Sequence, residues 1–175
     1  MTSKALPIAE LPVPLERDVF LRSLIRELSG SLQDIIGLDE AAGFISVVGQ
    51  SIGDEINAQY RAAAAVERLD RTQVGQVLVD LKRRIHGEFS LVSESDDRLE
   101  LVNTACPFGD KVADRPALCM MTSNVFGSIV AENLGYARVV LHETIAKGDG
   151  RCRVTVHLHP DDGAATDHGR EYFAR

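Results

Sequence analysis

The period of the apolar pattern changes once, near residue 87, and that change excludes most architectures. Val19, Phe20, Leu24, Ile25, Leu28, Leu32, Ile35 and Ile36 recur at three- and four-residue steps, the stripe of an amphipathic helix, with Ser29, Gly30 and Ser31 allowing one helix or two short ones. A second helix is expected after Gly37 with Asp39 as its cap, placing Phe44, Val47, Val48, Ile52 and Ile56 on one side. Its glycines at 43, 49 and 53 are costly in a helix and imply that another backbone approaches closely. A third helix, from a Thr72 cap to about Arg84, buries Val74, Val77, Leu78, Leu81 and Ile85. From Gly87 onward the pattern alternates on both sides of Asp96 and Asp97, which reads as a β-hairpin.

A fourth helix is bracketed by Asp114 and Pro116 at its start and Gly135 at its end, and a second hairpin follows around Gly148, Asp149 and Gly150. The order of three helices, hairpin, helix, hairpin contains no alternating parallel βα unit. It predicts an α+β fold, an antiparallel sheet from two hairpins covered by amphipathic helices. Residues 1–14, with three prolines, read as an extended arm. Residues 15–160 read as a single domain (helices 15–86, sheet and helix 88–160), and 161–175 as a mobile tail in which Tyr172 and Phe173 are able to dock.

Composition narrows the function classes. A net charge of −7 argues against gripping a phosphate backbone. The one basic run, Leu81 to Arg84, reads as a solvated helix face. No stretch is apolar enough to span a bilayer, and the N-terminus lacks the pattern of a secretory signal, so a cytoplasmic protein is expected. In a reducing compartment three cysteines do not form a disulfide framework.

Side-chain direction suggests that the three thiols meet. Cys152 shares a strand face with Val154, Val156 and Leu158, and Cys119 shares a helix face with Thr122, Ser123, Phe126, Ile129 and Val130. Cys106 ends the first hairpin, just before the fourth helix, whose N-terminus favours thiolate. With 12 residues between the first two cysteines and 32 before the third, the spacing is unlike zinc knuckles, and plain core packing of three small apolar residues is the competing reading. A fourth ligand would be Glu143 or His142, with Asp110 or a small molecule as further candidates; strict alternation favours Glu143. His157 and His159 read as surface residues, and none of the familiar hydrolase, zinc-protease or nucleotide-binding motifs is present.

The stretches Asn103–Cys119 and Arg115–Leu158 resemble the vinyl-reductase-type small-molecule-binding domains, and within them the methanogen-output-domain branch, over about residues 99–158. The resemblance implies a fold related to transport-particle subunits, a homodimer, a pocket for a small hydrophobic molecule, and in several members a structural zinc. Cys119 and Cys152 match two cysteines of that pattern. Thr144 stands where relatives carry another cysteine, Glu143 lies near an expected acidic ligand, and Cys106 is available to replace the missing thiol. The pocket is expected to be aliphatic and lined by Phe44, Val48, Met120, Met121, Val125 and Phe126.

The reading that follows is a non-enzymatic sensory or regulatory module. A metal held by Cys106, Cys119 and Cys152, zinc or alternatively an iron–sulfur cluster, would couple ligand or redox state to a signalling partner. The two N-terminal helices would form the dimer face. The competing readings are a hydrolase of a small cyclic amide, with Cys119 as nucleophile and His142 as base, and an assembly adaptor using the second helix.

Overall fold

The computed structural model of the chain describes residue 8, residues 13–160 and residues 169–175. Most of the expected arm and residues 161–168 of the expected tail therefore lie outside the described residues. The chain runs α1 (Arg17–Ile36), α2 (Leu38–Ala64), α3 (Arg71–Arg84), β1 (Phe89–Glu94), β2 (Arg98–Asn103), α4 (Pro116–Leu134), β3 (Tyr136–Glu143), β4 (Cys152–His157) and β5 (Arg170–Phe173). Short 3-10 turns at Gly109–Val112 and Ile145–Lys147 join the elements around α4. The strands form one antiparallel sheet in the order β1-β2-β4-β3-β5, so the α+β architecture expected from the change of period is the one found.

Local chemistry sets the ends of the elements. α1 runs unbroken through Ser29, Gly30 and Ser31. The cap of α3 is Asp70 and not Thr72: Asp70 accepts from the Gln73 amide while the Gln73 side chain accepts from the Asp70 amide, a reciprocal capping box. α2 starts from Gly37 without a side-chain cap, and Asp39 lies in its first turn. The first hairpin turns on Ser95, whose hydroxyl accepts from the amides of Asp97 and Arg98. At the other end of the sheet, Tyr172 pairs opposite Ala137 and is buried, its hydroxyl 3.0 Å from Ser123 Oγ. Gly127 makes this possible, since a Cβ there would lie 2.1 Å from the Tyr172 ring. Residues 170–173 are thus a fifth strand and not a mobile tail, because one buried aromatic anchors them.

α4 lies on one face of the sheet and joins it through Phe126, Ile129 and Val130 against Leu99, Leu101, Val139, Val154 and Val156. α3 adds Val74, Leu78 and Leu81 to the same core. A second apolar cluster, with Ile45, Val112, Ala117, Leu118 and Ala146, closes the end near the start of α4.

α2 packs on the far side of α4, and its buried residues are Ala41, Ile45, Ser46, Gly49, Gly53 and Asn57. A Cβ on Gly49 would meet Asn124 Cβ at 2.9 Å, and one on Gly53 would meet Val125 Cα at 3.1 Å. The close approach inferred from these glycines is therefore present at 49 and 53, whereas nothing lies within 4 Å of a Cβ at 43. Polar pairs run along this seam: Asn124 Nδ2 donates to Ser46 Oγ, Ser128 to Asp54, and Asn133 Nδ2 to Asn57 Oδ1. Of the stripe expected on one side of α2, Phe44, Val47, Val48 and Ile52 face outward, with Phe44 61% exposed, whereas Ile56 packs against the main core. Small residues let the two helix axes approach, and Phe44, Val47 and Val48 have no room in that contact.

Candidate functional site

The charge of one buried lysine feels all three cysteines. Cys152 opens β4 opposite Asn103 of β2, Cys106 lies in the loop after β2, and Cys119 sits in the first turns of α4. Lys82, projecting from α3, is only 5% exposed, and all three thiols act on its charge. Its ammonium donates to Thr122 Oγ1 at 2.8 Å and stands 5.5 Å from the Phe89 ring centroid and 5.4 Å from that of Phe126. Among the described residues no carboxylate pairs with it.

Burial lowers the Lys82 pKa from 10.5 to about 8, with the neighbouring thiols acting the other way. Burial raises Cys119 to about 11, reinforced by Cys152 and Cys106 and opposed by Thr144 and the Ala146 backbone. It also raises Cys106, against the lowering effect of the Phe108 backbone. Burial thus works against the expected thiolate at Cys119.

Cys152 has a specific partner, the side chain of Asn103, whose Nδ2 lies 3.7 Å from Cys152 Sγ. Asn103 is buried, and its Oδ1 accepts from the amides of Glu88 and Ala105 at 3.1 and 3.2 Å. These two bonds fix which end of the amide faces the sulfur.

The expected fourth ligands are elsewhere. A bulge between Leu141 and Glu143 breaks strict alternation, and Glu143 pairs with Arg151 at 2.6 Å on the exposed side. His142 Nε2 lies 2.9 Å from Thr155 Oγ1, on the sheet face away from Val154 and Val156. Among the described residues no three His, Cys, Asp or Glu side chains are grouped to hold one metal ion. The residues as placed do not fit a zinc or iron–sulfur site, and the donor set of Cys106, Cys119 and Cys152 with Glu143 or His142 is not assembled. The pairing of Cys119 with a His142 base is not formed either, since His142 is engaged by Thr155 and the Cys119 pKa is raised, opposite to the need of a nucleophile.

The residues expected to line one pocket are dispersed. Val125 and Phe126 belong to the main core, Met121 bridges the two apolar clusters, and Phe44 and Val48 are on the outer face of α2. Met120 does line a cavity of about 220 Å³, together with Leu38, Ala42, Pro116, Cys119, Leu141 and Thr144. It opens where the starts of α2 and α4 meet the β3–β4 connection. A second, more open groove of about 310 Å³ runs between α2 and α3, beside Ile56, Tyr60 and Leu81.

Lys82 is the site residue that the basic-run reading missed. Arg83 and Arg84 do lie on the solvated face, both paired with Asp80, but Lys82 follows Leu78 by four residues and therefore shares its buried stripe.

An antiparallel sheet backed by α4, with α2 outside it, defines an α+β domain shared by two solved structures. The phenol-responsive sensory domain of the transcription activator PoxR with phenol superposes with a TM-score of 0.61 at 14% identity, over 85% of this chain and 85% of that one. Trafficking protein particle complex subunit 3 from Naegleria fowleri, covalently bound to palmitic acid, gives 0.54 at 12% identity, over 89% of this chain and 99% of that one. At these identities the likeness is one of fold. No curated protein matches this chain. The family model for methanogen output domain 1 matches residues 24–157, and the chain belongs to that family. The match reaches well into the helices that precede the sheet.

Proposed function

We propose that this chain is a regulatory sensing module that takes a small, largely apolar molecule into the cavity beside Cys119 and passes its state to a signalling partner. The observation that carries the reading is the position of that cavity: its walls are the starts of α2 and α4 and the β3–β4 connection, so an occupant touches each layer of the fold. Family membership and the fold shared with a phenol-responsive domain support it. At about 220 Å³ the space suits a molecule of one ring, since an apolar cavity of about 150 Å³ accepts benzene. Isothermal titration and thermal-shift measurements with phenol and with short aliphatic acids test it. Binding by one of these classes that is abolished in Ala42→Phe supports the site; equal binding by that variant, or none by either class, rejects it.

The module works as a homodimer through α1 and α2. Phe20, Leu24 and Leu28 on α1 and Phe44, Val47 and Val48 on α2 are all exposed, and exposed large apolar residues concentrated on two helices support an interaction face there. Small-residue packing against α4 leaves these side chains for a second copy, and sedimentation velocity reads the outcome.

A further inference from the structure

We propose that the Thr144 hydroxyl pairs with the polar group of the cavity's occupant, so that the site selects a neutral one-ring molecule carrying a hydroxyl or carbonyl over a hydrocarbon of the same shape. This rests on the reading of the cavity as a ligand site and adds which chemistry it takes. Thr144 directly follows β3, lines the cavity of about 220 Å³ and is 4% exposed. Its backbone is fully engaged. The amide donates to Asp149 Oδ2 at 2.8 Å, and the carbonyl accepts from the amides of Lys147 and Asp149 at 3.0 and 3.3 Å. The β3–β4 connection therefore fixes where the side chain starts.

The hydroxyl is the exception. Thr144 Oγ1 is buried and has no hydrogen-bond partner among the described residues. The Cys119 thiol on the same wall feels that hydroxyl, but a thiol is a weak partner, and a buried hydroxyl left unpaired carries a desolvation cost that a ligand oxygen removes. The rest of the wall decides the class. Leu38, Ala42, Met120 and Leu141 offer nothing to a second polar group. The two charged residues at the cavity, Asp39 and Lys147, are exposed and of opposite sign, so net charge favours neither a carboxylate nor an ammonium. A mostly apolar wall with one unpartnered hydroxyl matches an occupant with one polar atom. A hydrocarbon leaves Oγ1 unpaired, and a site built around a hydrogen bond rejects the analogue that lacks the group.

Isothermal titration of the full chain with phenol and with benzene tests this, beside Thr144→Val, which keeps the side-chain shape, and Thr144→Ser, which keeps the hydroxyl. In a cavity without a partner for it, the hydration of the phenol hydroxyl favours benzene, so the direction of the preference is diagnostic. The unmodified chain should bind phenol about tenfold more tightly than benzene. Thr144→Val should lose that preference while still binding benzene, and Thr144→Ser should keep it. Circular dichroism is read first on each variant, and the ratio in the unmodified chain decides the matter without them. Equal affinity for the two probes, tighter binding of benzene, or equal weakening of both in a folded Thr144→Val overturns the role of Thr144 and leaves the cavity reading standing. Binding of short aliphatic acids without phenol does the same. Absence of binding by all of these removes the cavity reading and this proposal with it.

Discussion

The layer made by α3, α4 and the sheet and the layer made by α1 and α2 are held by opposite kinds of residue. The first buries Leu78, Leu99, Leu101, Phe126 and Ile129. In the second, α1 buries only Ser29 and Gly30, and α2 buries mainly serine, glycine, alanine and asparagine, while Leu28 is 57% exposed. Apolar area removed from water drives the first contact. Close approach and the hydrogen bonds of α2 to α4 hold the second, and its large apolar residues stay exposed. A stripe of leucine and phenylalanine on a helix therefore need not be the side that the helix buries in its own chain.

Four measurements press on this contrast. The largest effect is expected from Phe126→Ala in the first layer, which should cost about 3–5 kcal/mol in urea unfolding. Next, Gly53→Ala should cost about 1–3 kcal/mol by forcing α2 off Val125 and Ser128, whereas Gly43→Ala, with open space around its Cβ, should stabilise by at most about 1 kcal/mol. A loss at Gly43 equal to that at Gly53 would break the close-packing account.

The lysine–cysteine cluster, inside the first layer, predicts a pH effect. From pH 8 to 10.5 the unfolded chain binds a proton at Lys82 that the folded chain lacks, so stability rises with pH and is lost as pH falls through about 8. From pH 9 to about 11 the folded chain keeps a proton at Cys119 that the unfolded chain releases, so stability falls. Burial raises Cys106 in the same sense, so the net expectation is a rise of about 1 kcal/mol from pH 8 to 9 followed by a fall above it, and the absence of the rise in Lys82→Met. The smallest effect on folding belongs to Phe44→Ser, within about 0.5 kcal/mol, while sedimentation should show the proposed dimer lost. A large loss of stability in the isolated monomer would instead place Phe44 in an internal contact.

Much of the fold was legible in the chain itself. The change from helical spacing to alternation marked every helix and four of the five strands, and Gly135 and Pro116 set the limits of α4. β5 was harder to read, since four residues carry little pattern and its support is a gap over Gly127. At the candidate site, the inward direction of Cys152 followed from periodicity. Glu143 did not, because a bulge reverses the face of a strand end without a sequence mark. Lys82 was within reach of the same periodicity, but was hidden by its charged neighbours.

Sequence alone determined which segments are helix and strand, since that depends on residue spacing within a few turns of chain. It also carried enough of the family pattern to be recognised from the C-terminal half. Only the tertiary structure decided which face of α2 is inside, which thiols share a partner, and that a lysine rather than a carboxylate or histidine stands among them. Those outcomes depend on how closely two backbones approach and on what is left to solvate a buried charge, and both are properties of packing between segments distant in the chain.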